Sequence, residues 1–207
     1  MTAKQFFKSN AFKSLAVLIA IVLAAGVLLA ICNDIFHVSD EERFARSIAK
    51  IYGTQVTTEE VELTEEEKSY NTGRVDAVYL VADDGNYLFK TTGFGGYSGG
   101  SGEVTLWTVI LCEGTREAGD LRLTGIRKVV YESNEGQTLM SNFTNEYYAF
   151  FTEHNEAIAA GESFTAIKDG GELDNVSAGA SQTSNAIVNA VNTALACFRG
   201  VLSGGQA

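Results

Sequence analysis

Residues 15–32, LAVLIAIVLAAGVLLAIC, contain no charge and no strong helix breaker apart from Gly26. A helix rises about 1.5 Å per residue, so this stretch spans about 27 Å, close to the hydrocarbon thickness of a bilayer. A cleaved signal peptide needs small residues at its cleavage site, and Leu29-Ala30-Ile31-Cys32 fits that need poorly. A lipid-modified Cys32 would follow a small residue, but Ile31 precedes it. The segment is therefore read as a retained anchor. Lys4, Lys8 and Lys13 precede it with no acid among them, whereas Asp34, Asp40, Glu41 and Glu42 follow it. Positive charge stays on the cytoplasmic side, which places the N-terminus in the cytoplasm and the rest of the chain outside.

An anchor leaves enough of the 207 residues for one domain of ordinary size. A hydrophobic share of 45% suffices for a packed core, and the aromatic share of 10% argues against disorder. The formal net charge of −11 becomes more negative still once the basic N-terminus is set aside. Such a surface disfavours nucleic acid and anionic lipid headgroups, because phosphate affinity depends on Lys and Arg. Cys32, Cys112 and Cys197 show neither CxxC nor Cys/His spacing, which argues against a zinc or iron–sulfur site. For Cys112 and Cys197, buried free thiols are favoured over a disulfide, which stays open outside the cell. His37 and His154 read as surface histidines, with no nucleophile–His–acid grouping to make either catalytic.

The pattern beyond the anchor is α+β. Ser39-Asp-Glu-Glu42 is a capping box opening a helix to about Tyr52, and residues 54–71 read as a strand and an acidic loop. Strands follow at Val75–Ala82 and Tyr87–Lys90, joined by an Asp84-Gly85 turn, then at Glu103–Cys112 and Leu121–Tyr131. Residues 138–151 read as a helix with Phe143, Tyr147 and Phe150 or Phe151 inward. Residues 160–176 form a connection with a short strand near Phe164–Ile167, and a last amphipathic helix carries Ile187, Ala190, Val191, Ala194, Leu195 and Phe198. The expected architecture is one transmembrane helix followed by a twisted, mainly antiparallel sheet packed with helices. Its segments are 1–33 (N-terminus and span), 34–71 (connecting helix and acidic segment) and 72–207 (domain).

Three segments carry chemistry beyond packing. Residues 174–191, DNVSAGASQTSNAIVNAV, change abruptly from small and hydroxyl residues to an amphipathic helix. Ser181, Thr183, Ser184 and Asn185 stand where that helix starts, and a helix N-terminus with free N–H groups suits a phosphate. Gly179 and Ala180 allow close approach to the backbone. Gly93-Phe-Gly-Gly-Tyr-Ser-Gly-Gly-Ser-Gly102 joins two strands and lacks the helix that a dinucleotide-binding loop would open. Tyr131-Glu-Ser-Asn-Glu-Gly-Gln-Thr-Leu139 is a polar turn leading toward a helix. Each segment has a plain structural alternative: a capped helix, a connection, a turn.

Together these residues resemble the FMN-binding domain family, which includes the RnfG- and NqrC-type subunits of membrane redox complexes. The family pattern runs roughly Asp-x-x-Ser-Gly-Ala-Thr-x-Thr-Ser. Asp174, Ser177, Gly179, Ala180, Thr183 and Ser184 fall on it, with Ala178 as one extra residue. In register with the Thr183–Ser184 pair, the position esterified to FMN phosphate is Ser181, with Thr183 as the alternative acceptor. The resemblance implies that Asp174 serves recognition by a flavin transferase. It also implies that Gly95, Gly96 and Tyr97 neighbour the flavin ring, because a Gly-x-Gly-Gly-Tyr-x-Gly segment precedes a strand in the family too. Glu132 and Ser133 fall on a degenerate version of the family's Glu-Thr-Pro-Gly-Leu-Gly segment, which implies contact with the ring or ribityl chain.

By the same resemblance the chain is a membrane-anchored flavoprotein, an extracytoplasmic electron carrier with covalent FMN. It would work beside other membrane subunits of an ion-translocating complex, as an Rnf-type redox subunit without turnover of its own. Two other classes stay open: a free-standing anchored flavoprotein reductase, and an extracytoplasmic binding domain that has lost flavin. The orientation is testable on its own. A reporter fused after Ala207 is expected to be active only if it works outside the cytoplasm, and activity of a cytoplasm-only reporter there would reverse the assignment.

Overall fold

A computed structural model describes residues 10–36, 39–97, 101–166 and 180–205. It divides into two units, residues 1–46 and 47–207. In the first, helix α1 (Asn10–Phe36) contains the apolar run Phe12–Cys32, of 21 residues and mean hydropathy 3.1. This helix is long and apolar enough to cross a membrane, and none of that run is buried. Helix α2 (Asp40–Tyr52) begins beside Ser39, whose Oγ accepts the Glu42 N–H at 3.1 Å. That is the N-terminal cap read from the sequence.

The second unit is α+β. Strands β1 (Thr58–Glu60), β2 (Ser69–Tyr70), β3 (Gly73–Val81), β4 (Tyr87–Gly93), β5 (Glu103–Glu113) and β6 (Arg122–Glu135) form one antiparallel sheet among the described residues. The order is β1-β3-β4-β5-β6, with β2 also on β3. The acidic segment before β2 contributes β1 and a single helical turn, α3 (Glu65–Lys68), closed by a reciprocal Thr64–Glu67 cap. After β6 come α4 (Asn145–Glu153), α5 (Asn155–Ala159) and α6 (Ser181–Cys197), which runs into a wider π turn at Phe198–Leu202.

The two central strands are covered on both faces. On one face Phe89, Leu106, Ile110 and Ile126 join Ile187, Val191 and Leu195 of α6 and Tyr147 and Phe151 of α4 in the main core. The other face buries Leu88, Trp107 and Val109. Here the end of α2 is held by Lys128, whose Nζ donates to the Lys50 and Ile51 carbonyls at 3.2 and 3.0 Å. A cation at the last carbonyls of a helix satisfies both unpaired acceptors and the helix dipole.

Two expected elements change on the structure. The helix read as 138–151 is a 3-10 turn at Met140–Asn142 followed by α4 from Asn145, because Phe143 and Thr144 are extended and Thr144 takes the N-cap position. Phe143 stays buried by stacking edge-on to Tyr147, ring centroids 4.7 Å apart. The short strand expected near Phe164 is absent over residues 164–166, and Ile167 lies outside the described residues. The Asn192 side chain replaces the strand partner: Phe164 N–H donates to its Oδ1 at 2.9 Å, and its Nδ2 donates to the Phe164 carbonyl at 2.8 Å. Cys112 and Cys197 are free thiols, and burial pushes each up to about 11.

Helix α6 lies across β3, β4 and β5 and packs its backbone against Gly93. A Cβ on Gly93 would collide with the backbone of Ala186 and Ala190, and neither backbone has a flexible end to yield. The Thr91 hydroxyl donates to the Ala190 carbonyl at 2.9 Å, fixing the helix register on β4. Gly93→Ala is therefore expected to cost about 1–3 kcal/mol or more by overpacking. Chemical denaturation measures it, and an unchanged midpoint would show that the helix–strand gap is not limiting.

Candidate functional site

The site is built where β4 ends. Phe94 N–H donates to the Thr72 carbonyl at 2.8 Å, carrying the strand one residue past Gly93, and Gly96 N–H closes the loop neck on Gly102 O at 2.8 Å. Gly95 has φ +85°, and a Cβ there would meet Asn185 Nδ2 at 2.6 Å. Only glycine takes that backbone without strain. On α6 the amides of Asn185 and Asn189, one turn apart, donate to the Gly95 and Phe94 carbonyls, each at 2.8 Å. The loop is thus tied by its backbone to one face of the last helix.

Helix α6 begins at Ser181 without a side-chain cap, and its first intrahelical bond runs from Ser184 N–H to Ala180 O at 2.9 Å. The N–H groups of Ser181, Gln182 and Thr183 therefore have no acceptor within the helix. The hydroxyl residues here divide sharply. Ser181 is exposed on the first turn. Thr183 is 3% exposed and donates its hydroxyl to Gln137 Oε1 at 2.9 Å. Ser184 is fully buried and shares a 2.6 Å hydrogen bond with Tyr147 Oη. Burial holds the Tyr147 phenol well above the ordinary tyrosine range, so it stays neutral.

The third segment enters at the exit of β6. Gln137 N–H donates to Asn134 Oδ1 at 3.0 Å, and its side chain reaches the glycine loop, accepting Tyr97 N–H at 2.9 Å. A cavity of about 250 Å³ opens between the three segments. Its walls are Tyr97 from the loop, Thr138 and Leu139 from the β6 exit, and residues 180–183 at the helix start. Tyr97 and Leu139, 48% and 45% exposed, are the exposed large hydrophobic side chains among the described residues outside α1. Two further cavities, of about 240 and 360 Å³, lie beside Arg199 and Arg116 against the C-terminal turn, and no residue singled out by the sequence lines them.

The sequence-derived residues therefore separate into those brought together and those left apart. Ala180, Ser181, Thr183 and Tyr97 line the cavity; Gly95, Gly96 and Asn185 shape its loop; Ser184 supports the helix from beneath. Asp174, Ser177 and Gly179 lie outside the described residues, as does His37. Glu132 and Ser133 do not line the cavity. The register steps from Leu106↔Tyr131 to Thr105↔Ser133, leaving Glu132 as the extra residue of a bulge. Its carboxylate turns to the sheet face of Trp107, accepting the indole N–H at 2.9 Å and the Ser47 hydroxyl at 3.2 Å. Its partners are structural, whereas Gln137, five residues on, is the polar hub. His154 is half-buried, with Nδ1 2.8 Å from the Phe150 carbonyl and its ring 4.1 Å from that of Phe150.

No protein-family model, curated protein or solved structure matches the chain. The site thus stands on its own geometry. Asn185→Ala would leave the Gly95 carbonyl without its donor, an expected loss of about 1–2 kcal/mol. Denaturation and limited proteolysis at residues 94–102 measure it: cleavage there should accelerate, and an unchanged midpoint and cleavage rate would remove Asn185 from the loop's support.

Proposed function

We propose that the chain is a membrane-anchored electron carrier that holds FMN covalently, outside the cytoplasm, through a phosphoester on Ser181. The observation that carries this reading is the meeting, around one cavity, of three segments that the sequence singles out separately. The residues fit such a group. Ser181 is exposed, at the rim of the cavity, beside three N–H groups without helical acceptors, an arrangement suited to a phosphodiester's single negative charge. Tyr97 and Leu139 offer apolar surface to a planar ring. The volume of about 250 Å³ lies just under the usual range for small-molecule sites, room for part of the ligand with the remainder at the surface.

When bound, the flavin supplies the redox chemistry; this chain supplies attachment, orientation and partial cover. Attachment is a transfer in which Ser181 Oγ, giving up its proton, takes the FMN phosphoryl group from a flavin dinucleotide and a nucleoside monophosphate leaves. Thr183 is the poorer acceptor, since its hydroxyl is buried and already donated to Gln137. The apolar stretch 15–32 of helix α1, with Lys4, Lys8 and Lys13 before it, supports an anchor whose domain faces away from the cytoplasm. Other membrane subunits then supply and remove the electrons.

Co-expression with a flavin transferase is expected to give a fluorescent band that survives denaturing electrophoresis. Mass spectrometry should place one FMN phosphoester on Ser181, lost in Ser181→Ala and kept in Thr183→Ala. Tyr97→Ala should keep the adduct and shift the flavin absorption. Absence of any adduct in the unmodified sequence with an active transferase would refute the covalent reading.

A further inference from the structure

We infer that Gln137 is the positioning residue of this site: it clamps the loop bearing Tyr97 to the start of α6 and so sets where the Tyr97 ring stands over the cavity. Gln137 is 8% exposed, and every polar valence of its carboxamide is used. Oε1 accepts Tyr97 N–H and the Thr183 hydroxyl, both at 2.9 Å. Nε2 donates to the carbonyls of Tyr97 and Glu135, both at 3.2 Å. Gln137 thus takes both backbone groups of Tyr97, as a neighbouring strand would, and joins the loop to the exit of β6 and the first turn of α6. With no donor or acceptor left over, it has nothing to offer a ligand directly and acts through Tyr97.

The backbone is shaped around this contact. A Cβ on Gly96 would stand 2.9 Å from Gln137 Oε1 and 2.8 Å from the Gly102 carbonyl, so glycine is what lets the carboxamide reach the loop. The Gln137 N–H donates to Asn134 Oδ1 at 3.0 Å, which fixes the direction in which the side chain leaves the β6 exit. Neither smaller nor isosteric replacements reproduce the pattern. Asparagine is one methylene short, leucine removes the partner of Tyr97 N–H, the Tyr97 and Glu135 carbonyls and the Thr183 hydroxyl, and ionised glutamate turns an oxygen toward two carbonyls.

Glutamate makes the clamp testable by pH. A carboxyl facing two carbonyls in a buried site has its pKa raised, because its charged form is disfavoured. Below that pKa the neutral acid keeps one O–H donor and the clamp is partly restored; above it the anion repels the carbonyls and the clamp opens. The expected result, for the full chain without flavin, is amide-exchange protection at residues 94–97 about tenfold lower in Gln137→Leu. Gln137→Glu should show the same loss at neutral and higher pH and recover toward acid, while β4 keeps its protection in both. In the flavin-loaded chain, the difference in absorption and midpoint potential between Gln137→Glu and the unmodified sequence should change with pH over the same interval, against a constant difference for Gln137→Leu.

The clamp itself does not depend on the FMN reading; its effect on the cofactor does. Unchanged protection at 94–97 in both variants overturns the clamp whatever binds. Lost protection with an unmoved flavin band and potential overturns the positioning role. Lost protection in a chain that never takes flavin upholds the clamp and fails the FMN assignment instead.

Discussion

The close approach of α6 to β4 is the constraint on which the rest depends. Gly93 presents bare backbone to Ala186 and Ala190, and Thr91 spends its hydroxyl on the Ala190 carbonyl, so helix and strand meet in one register. Dense packing leaves no room for sliding: a shift of the helix by one residue would drive a side chain into the strand. The same register carries Ile187, Val191 and Leu195 onto the sheet and brings Asn185 and Asn189 to the two carbonyls that follow Gly93. Packing at the centre of the domain thereby decides which loop atoms stand beside the helix start.

Polar satisfaction then does locally what packing does globally. Residues 94–97 of the glycine loop are held through their backbone groups by the amides of Asn185, Asn189 and Gln137. Such bonds are modest one by one and costly to leave unmade once water is excluded. The hydroxyls of Thr183 and Ser184 are consumed in this scaffold, on Gln137 and Tyr147, which leaves Ser181 as the exposed hydroxyl of the first turn. Choice of acceptor, on this account, follows from which side chains the fold has already used.

The sequence was legible where one local rule governs. The apolar helix, the Ser39 cap, the strands at β3 to β6 and the inward face of α6 follow from hydropathy period and turn residues. It was less legible where distant side chains substitute for local structure. Nothing near Phe164 announces that Asn192 will serve as its strand partner, and nothing near Glu132 announces the bulge that turns it toward Trp107. Gln137 stands in a segment the sequence does single out, yet its importance comes from contacts 40 and 46 positions away, to Tyr97 and Thr183. Small-residue spacing could mark the cavity's edges; the residue joining them required the fold.

The central claim is that loop, β6 exit and helix start form one binding cavity for a flavin held at Ser181. A crystal structure of the flavin-loaded domain tests it most directly. The account predicts continuous density from Ser181 Oγ through a phosphate on the first turn of α6 to a ring between Tyr97 and Leu139. A flavin seated elsewhere, or attached with its ring turned away from both side chains, would contradict it.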